Sequence, residues 1–348
     1  MGKNSKYYKD LRKSKLAKIN EMKCQLPLYT HSYIEKCVLK KQINTAYAYT
    51  QDIVIFFEFL KAKNPLCSDI KVSEIPFSVI EQLNSEDIDE FQAYMKADDE
   101  SSPHMVGART LARKMATVRG FFGYMKEKGY LPEDPTEKAE KNEKFEEPAI
   151  KRLSKDEAKK LLAVVEAAQH TVDLNSARER FVAKRDYAIV TLLLNTGIRV
   201  SECIGIDLRD LDFDNQQVKI VRKGGKETKI YMGKDVCAVL LDYIEHERPK
   251  LITDSNEEAL FLSLRKKRIA ARSIEAMLDK YRIEAGIADN VSAHTLRRTY
   301  GTRLYNTSGD IYMVANVLGH KDINTTAKHY AAVDEDRKKK ASEIKLYD

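Results

Sequence analysis

Between Ser292 and Val333 the sequence reads SAHTLRRTYGTRLYNTSGDIYMVANVLGHKDINTTAKHYAAV. His294 and Arg297 stand at i and i+3, so a helix puts both on one face. Leu296 and Leu304 are then left for a core, and Ser292 is a good N-cap for that helix. A second apolar-periodic stretch, Ile311 to Leu318, ends at Gly319, a residue suited to the left-handed turn that stops a helix. That stop turns His320 out of the helix and back toward the first pair. Asn324, Thr325 and Thr326 read as the cap of a short helix carrying Tyr330. Two imidazoles, a guanidinium and a phenol would thus converge. A rigid arginine fork suits an oxyanion and cannot ligate a cation, so the set points away from a metal site.

Taken singly, each residue has a plainer reading. His294 is then a surface or core histidine, His320 a cation beside the end of a helix dipole, and Tyr330 one of 18 tyrosines. As an ordered set they resemble the second half of the active site of the tyrosine recombinases, the phage-integrase family. The family pattern is H-x-x-R, then L-G-H, then a nucleophilic Tyr. One departure is visible: Tyr330 follows His320 by 10 residues, where many members use nine and some transposon integrases use ten. His329 has no role in the pattern, and Tyr347 lies at the terminus.

Composition bounds the rest. A chain of 348 residues accommodates about two domains. With 43% hydrophobic and 32% charged residues it is a globular chain and not a disordered one. A net charge of +7 permits an anionic partner without demanding one. Cys24, Cys37, Cys67, Cys203 and Cys237 are scattered and odd in number, with no Cys-x-x-Cys. That pattern fits free thiols in a reducing cytoplasm, with no disulfide frame and no zinc site. The charged N-terminus lacks the apolar core of a secretory signal, and no apolar run has the length of a membrane span, so a cytosolic protein without membrane insertion is expected.

Along the chain, residues 1–27 form a basic arm, either a DNA-binding helix or a solvated leader. Residues 28–131 are helical throughout. Tyr49, Ile53, Phe56, Phe57 and Leu60 recur at core spacing, and Ser85 opens a helix as its N-cap. In RTLARKMATVRGFFGYMKEK, Leu111, Met115, Val118, Phe121, Phe122 and Met125 face inward. Arg109, Arg113, Lys114 and Arg119 are left for another face, which is either solvated or set against phosphates. Residues 132–152 read as a charged linker, and Ser154 caps the first helix of a second domain, 153–333. Arg185 to Gly197 is a helix buried nearly all round, followed by Arg199. Two strands about Lys223-Gly-Gly-Lys226 make a hairpin. Arg265, Lys266, Lys267 and Arg268 form a basic cluster suited to phosphates, and 334–348 is a mixed-charge tail.

Several of these segments extend the resemblance. Thr196-Gly-Ile-Arg199-Val-Ser-Glu202 is similar to the family's first catalytic box, although an arginine in such a place more often simply pairs with an acid such as Glu202. Arg222-Lys-Gly-Gly-Lys226 and the run from Glu74 to Met95 are similar to single-protein Xer recombinases of the XerS type. The resemblance implies a mainly α fold with a small antiparallel β-sheet (α+β), arranged as a two-domain clamp of a helical core-binding domain and a catalytic domain. It implies Arg199, Lys226, His294, Arg297 and His320 as catalytic groups, Lys226 being preferred to Lys223 as the hairpin lysine because it stands just before the second strand, with Tyr330 as nucleophile and no metal, ATP or other cofactor. Double-stranded DNA with paired inverted half-sites, a tetramer of this chain, and an accessory or cell-division protein are the implied partners, the tail packing into a neighbouring protomer. The activity implied is site-specific recombination, either chromosome dimer resolution at a dif-like site or integration of a phage or conjugative transposon. A type IB topoisomerase shares the chemistry without partner exchange, and a non-catalytic DNA-binding relative would share the fold alone.

Overall fold

The computed structural model describes residues 6–96, 106–141, 150–171, 176–222, 224–252, 257–320 and 323–326. The chain divides into two compact units, one ending at Pro148 and the other starting at Ala149.

The first unit is helical: α1 (Lys6–Lys23), α2 (His31–Lys40), α3 (Ile43–Lys63), α4 (Phe77–Gln82), α5 (Ser85–Lys96) and α6 (Ala108–Glu127). Its core forms because α3 presents Ile53, Phe56, Phe57, Phe59 and Leu60 inward while α6 answers with Met115, Val118, Phe121, Phe122 and Met125. The rings meet edge to face, Phe56 lying 5.1 Å from Phe91 and 5.7 Å from Phe122 between centroids. Each ring buried contributes about 1.5–3 kcal/mol over leaving it in water.

Four features differ from the sequence reading. The basic segment 1–27 is, over its described part, a helix packed on the core and not a solvated leader. Helix α1 seats Ile19 in the core with Leu16 against it, and the Lys15 ammonium sits 3.7 Å from the Tyr47 ring centroid. The cap of α5 is Asn84, whose side chain accepts from the Glu86 N–H at 2.7 Å, while Ser85 is already helical. Part of the charged linker is anchored to this unit, because Ala139 is buried and the Glu140 N–H donates to Asp89 at 2.7 Å. The cationic stripe of α6 is divided. Arg109 and Arg119 keep surface positions, but Arg113 forks onto Asp52 of α3 and the buried Lys114 ammonium reaches the same carboxylate at 3.1 Å. Thr117 also donates to Asp52, at 2.9 Å. A lone buried carboxylate is costly, so its partners are drawn inward from the stripe.

The second unit contains α7 (Lys155–Thr171), α8 (Ala177–Thr196), α9 (Val200–Ile204), β1 (Leu211–Asp212), β2 (Gln217–Val221), β3 (Glu227–Tyr231), α10 (Lys234–Asp242), α11 (Arg248–Leu251), α12 (Ala271–Glu284), α13 (Ala293–Ser308), α14 (Ile311–Leu318) and α15 (Ile323–Thr326). Ser154 and Glu157 exchange hydrogen bonds at the start of α7, the expected cap. Helix α8 is buried on nearly every side from Arg185 to Thr196, with Gly197 ending it at φ +61°. The sheet is antiparallel in the order β1-β2-β3, with Val221 opposite Glu227 and Val218 opposite Ile230. β3 therefore starts directly after Lys226. No helix among the described residues is long and apolar enough to cross a membrane.

The basic cluster at 265–268 is divided in the same way as the α6 stripe. Arg265, Lys266 and Lys267 are exposed in a turn. Arg268 instead donates to the carbonyls of Ile204 (2.7 Å) and Ile206 (3.0 Å) and pairs with the buried Asp207. It closes the loop after α9 rather than facing outward.

Asp52 gives the first prediction. Asp52→Ala leaves the Lys114 charge buried without its partner, which costs about 3–5 kcal/mol. Amide hydrogen exchange in α3 and α6 of the full chain should rise sharply while α8 stays protected. Asp52→Leu combined with Lys114→Met should restore most of the protection.

Candidate active site

The site is built on three chain ends. The first is the corner after α8, where Gly197 takes the left-handed conformation and Arg199 becomes the residue preceding α9. Glu202, one turn into α9 and buried, turns back on Arg199. Its carboxylate accepts from the Arg199 backbone N–H at 2.8 Å and from the guanidinium at 2.8 Å. The plain sequence reading of Arg199 as a partner of Glu202 therefore describes its contact, while a third of the arginine side chain stays exposed, 34%.

The second end is α13. Ser292 caps it as expected, its hydroxyl accepting from the Thr295 N–H at 3.1 Å. His294 lies exposed in the first turn, whereas Arg297, one turn on, is buried at 3%. The shared helical face thus runs from surface to interior. Arg297 donates to the Gly197 carbonyl at 2.6 Å and to the Leu318 carbonyl at 2.5 Å, joining the C-terminal ends of α8 and α14. Both carbonyls lie at negative ends of helix dipoles, where a cation is favoured. The same guanidinium stands 4.0 Å from Glu202, so one carboxylate lies between Arg199 and Arg297.

The third end is the Leu318-Gly319-His320 corner. Leu318 is packed with Val314 and Tyr305, which sets the corner against α13. Gly319 ends α14 in the left-handed conformation, and the His320 ring shares a 2.7 Å hydrogen bond with the Thr326 hydroxyl. A hydroxyl both donates and accepts, so either imidazole tautomer satisfies that bond. Helix α15 begins at Ile323, so residues 324–326 lie inside it and do not cap it. Tyr330, His329 and the tail 334–348 lie outside the described residues.

Lys226 is exposed at the end of the β2–β3 turn. Two residues absent from the sequence-predicted set join the site, Glu202 and Arg222. Arg222 donates to the Val317 carbonyl at 2.5 Å and to the Asn316 carbonyl at 3.4 Å. Burial lowers its pKa; nearby Glu202 works against that shift and Arg199 adds to it. The signal for Arg222 was present in the Arg-Lys-Gly-Gly-Lys string, but its partners are some 95 residues away. Cys203, beside Glu202, is fully buried, and its thiol is pushed up to about 12 by desolvation, which makes it a packing residue.

The arrangement gathers cations around one buried acid at the meeting of three helix ends, a design for holding an oxyanion. The chain is similar to known proteins. The phage integrase family model matches residues 151–337. A tyrosine recombinase XerC of Caldanaerobacter subterraneus subsp. tengcongensis is 32% identical over 307 residues, 86% of this chain and 80% of its own. A tyrosine recombinase XerS of Lactococcus lactis subsp. cremoris is 26% identical over 94% of this chain and 98% of its own. The solved XerH site-specific recombinase bound to difH substrate shares the fold with a TM-score of 0.60 at 19% identity, over 88% of this chain and 80% of that one. The Tn1549 transposon integrase in complex with transposon right end DNA does so with a TM-score of 0.58 at 17% identity, over 84% and 98%. The chain belongs to the phage integrase family. Within it, the protein is a tyrosine recombinase of the Xer type, a site-specific DNA recombinase acting through a covalent tyrosine intermediate.

Gly197 offers a test of the corner. A Cβ there would lie 2.4 Å from the Tyr300 ring and 3.0 Å from Leu318, at a positive φ. Gly286 has a similar φ of +66° but open space around it. Gly286→Ala should cost only the left-handed penalty of about 1–2 kcal/mol. Gly197→Ala should cost clearly more in thermal denaturation, because Tyr300 and the carbonyl held by Arg297 must move. Equal losses would show that the corner yields freely.

Proposed function

We propose that this recombinase cuts and rejoins duplex DNA at paired inverted half-sites of a dif-like sequence, resolving chromosome dimers in the cytoplasm as a tetramer on two sites. The observation that carries the chemistry is the single buried carboxylate of Glu202 between Arg199 and Arg297. The chromosomal role rests on XerS relatives matched over nearly the whole chain.

In this reading Tyr330 attacks the scissile phosphorus, its phenolic proton leaving to solvent as the bond forms. Negative charge gathers on the nonbridging oxygens, where Arg199 and Arg297 stabilise it. A guanidinium has five donors, so Arg297 can serve its two carbonyls and a phosphate oxygen together. His294 and His320 position the phosphate. As the Tyr330–phosphorus bond forms, the bond to the 5′ oxygen breaks, and Lys226 gives that oxygen a proton. The 3′-phosphotyrosyl link conserves the bond energy, so no nucleotide is consumed. The 5′-hydroxyl of the partner strand then attacks the link, releases Tyr330 and builds a Holliday junction. A second round of exchange resolves it. Arg109, Arg119, Arg265, Lys266 and Lys267 contact phosphates, while Lys114 and Arg268 are held by interior acids.

A second reading, integrase of a mobile element, is favoured by one observation, the 10-residue interval from His320 to Tyr330. Recombination of two plasmid-borne sites separates the two: chromosomal dif-like repeats against element ends.

Two outcomes check the proposal. Tyr330→Phe should still shift site DNA in a gel yet form no SDS-resistant adduct, and a persisting adduct would assign the nucleophile elsewhere. Lys267→Ala should lower the slope of log K against log salt by about 1, one phosphate contact. Arg268→Ala should leave that slope alone and lower the melting temperature instead.

A further inference from the structure

Lys226 sits at the end of a turn whose centre is two glycines, both left-handed: Gly224 at φ +98° and Gly225 at φ +85°. Such a turn is permissive by nature, and an exposed lysine at its end has no fixed place. General acid catalysis, however, needs the proton donor within hydrogen-bond reach of the leaving oxygen, and a misplacement of about 1 Å can cost about 10²-fold. Something must hold the turn in place.

Arg222 is placed to do so from both ends of its own structure. Its backbone closes the turn: the Arg222 N–H donates to the Lys226 carbonyl at 2.8 Å, and the Gly225 N–H donates to the Arg222 carbonyl at 2.9 Å. Its side chain leaves the hairpin and forks onto the Val317 and Asn316 carbonyls in the last turn of α14. The fit is close enough to exclude a side chain opposite. A Cβ on Gly319 would fall 1.6 Å from one Arg222 nitrogen and 2.4 Å from its central carbon. Gly319 is thus required twice, for its left-handed φ of +65° and for the space the guanidinium occupies.

We propose that Arg222 is a positioning residue that docks the Lys226 hairpin on the Leu318-Gly319-His320 corner, setting the leaving-group acid in register with the phosphate-holding groups. The proposal rests on the reading of Lys226 as the general acid. Arginine suits the task because one planar fork spans two carbonyls and keeps its charge when buried. A lysine ammonium offers a single point to the same pair.

The test uses the full-length protein and suicide duplexes of one site, made either with an ordinary phosphate or with a 5′-bridging phosphorothiolate at the scissile position. A thiolate leaves without a proton, so a defect confined to the acid disappears on the second substrate. Lys226→Ala is the reference for that behaviour. Arg222→Ala should bind site DNA normally, cleave the ordinary duplex about 10²-fold more slowly, and recover to within a few-fold of the parent on the phosphorothiolate. Arg222→Lys should show the same defect and the same recovery. Gly319→Ala, which removes the space from the opposite side, should lose cleavage in parallel. If Lys226→Ala recovers and Arg222→Ala does not, Arg222 acts on the phosphate or on folding, and the proposal is overturned. Should Lys226→Ala itself fail to recover, the acid assignment falls instead, and docking is then judged by hydrogen exchange. Arg222→Ala should speed exchange in the segment spanning Gly224 to Glu227 while α8 stays protected. Unchanged exchange there overturns the docking role on its own.

Discussion

The candidate site is organised around one buried carboxylate. Glu202 is almost wholly removed from water, a position that disfavours its charge unless cations and N–H donors replace the lost hydration. Arg199 supplies both, through its backbone and its guanidinium, and Arg297 stands at the edge of contact. Two positive charges beside one negative leave the locus net positive. It is held positive before any DNA arrives, so little reorganisation is needed when charge develops on a phosphate.

That carboxylate is kept in place by helix ends. α8 and α14 both stop at left-handed glycines, which expose their last carbonyls in one region. Arg297 takes one carbonyl from each corner, and Arg222 takes two more from α14. The orphan acceptors that every helix leaves at its C-terminus thereby become the sockets for the site's cations. Glycine at 197 and 319 follows from the same geometry, since a Cβ at 197 would strike the Tyr300 ring and one at 319 the Arg222 guanidinium.

Local signals in the sequence were legible. Ser292, Ser154, the run from Ile311 to Leu318 and the left-handed Gly319 each announce an element through neighbours within a few residues. Arg199 and Arg297, far apart in sequence, stand either side of Glu202 where α8, α13 and α14 meet. What escaped was pairing at a distance. Lys114 looked like part of an outward stripe because Asp52, its partner, is 62 residues earlier. Arg268 looked like one of four surface cations because Asp207 is 61 residues away. The packing of helix α1 on the core was obscured by its lysines, which dilute the short apolar stripe of Leu16 and Ile19. Tyr330 lies beyond the described residues, and its place rests on the sequence pattern alone.

The distribution of arginine and lysine in the second unit follows from what each can do with a proton. Arg297, Arg222, Arg268 and Arg248 each bridge two backbone carbonyls contributed by other segments, Arg248 those of Glu257 and Ala259. A guanidinium stays charged at any working pH and is weakly hydrated, so it tolerates burial and serves as a permanent tie. It cannot give its proton away on the time course of a reaction. An ammonium is the opposite: strongly hydrated, costly to bury, and able to part with a proton. Lys226 is correspondingly at the surface of the hairpin, with an arginine four residues earlier fastening the turn. In the proposed mechanism, exchanging the two residue types would leave a tie that can discharge and an acid that cannot. That division lets a glycine turn carry the acid in this mechanism, because the Arg222 fork holds the turn to the end of α14.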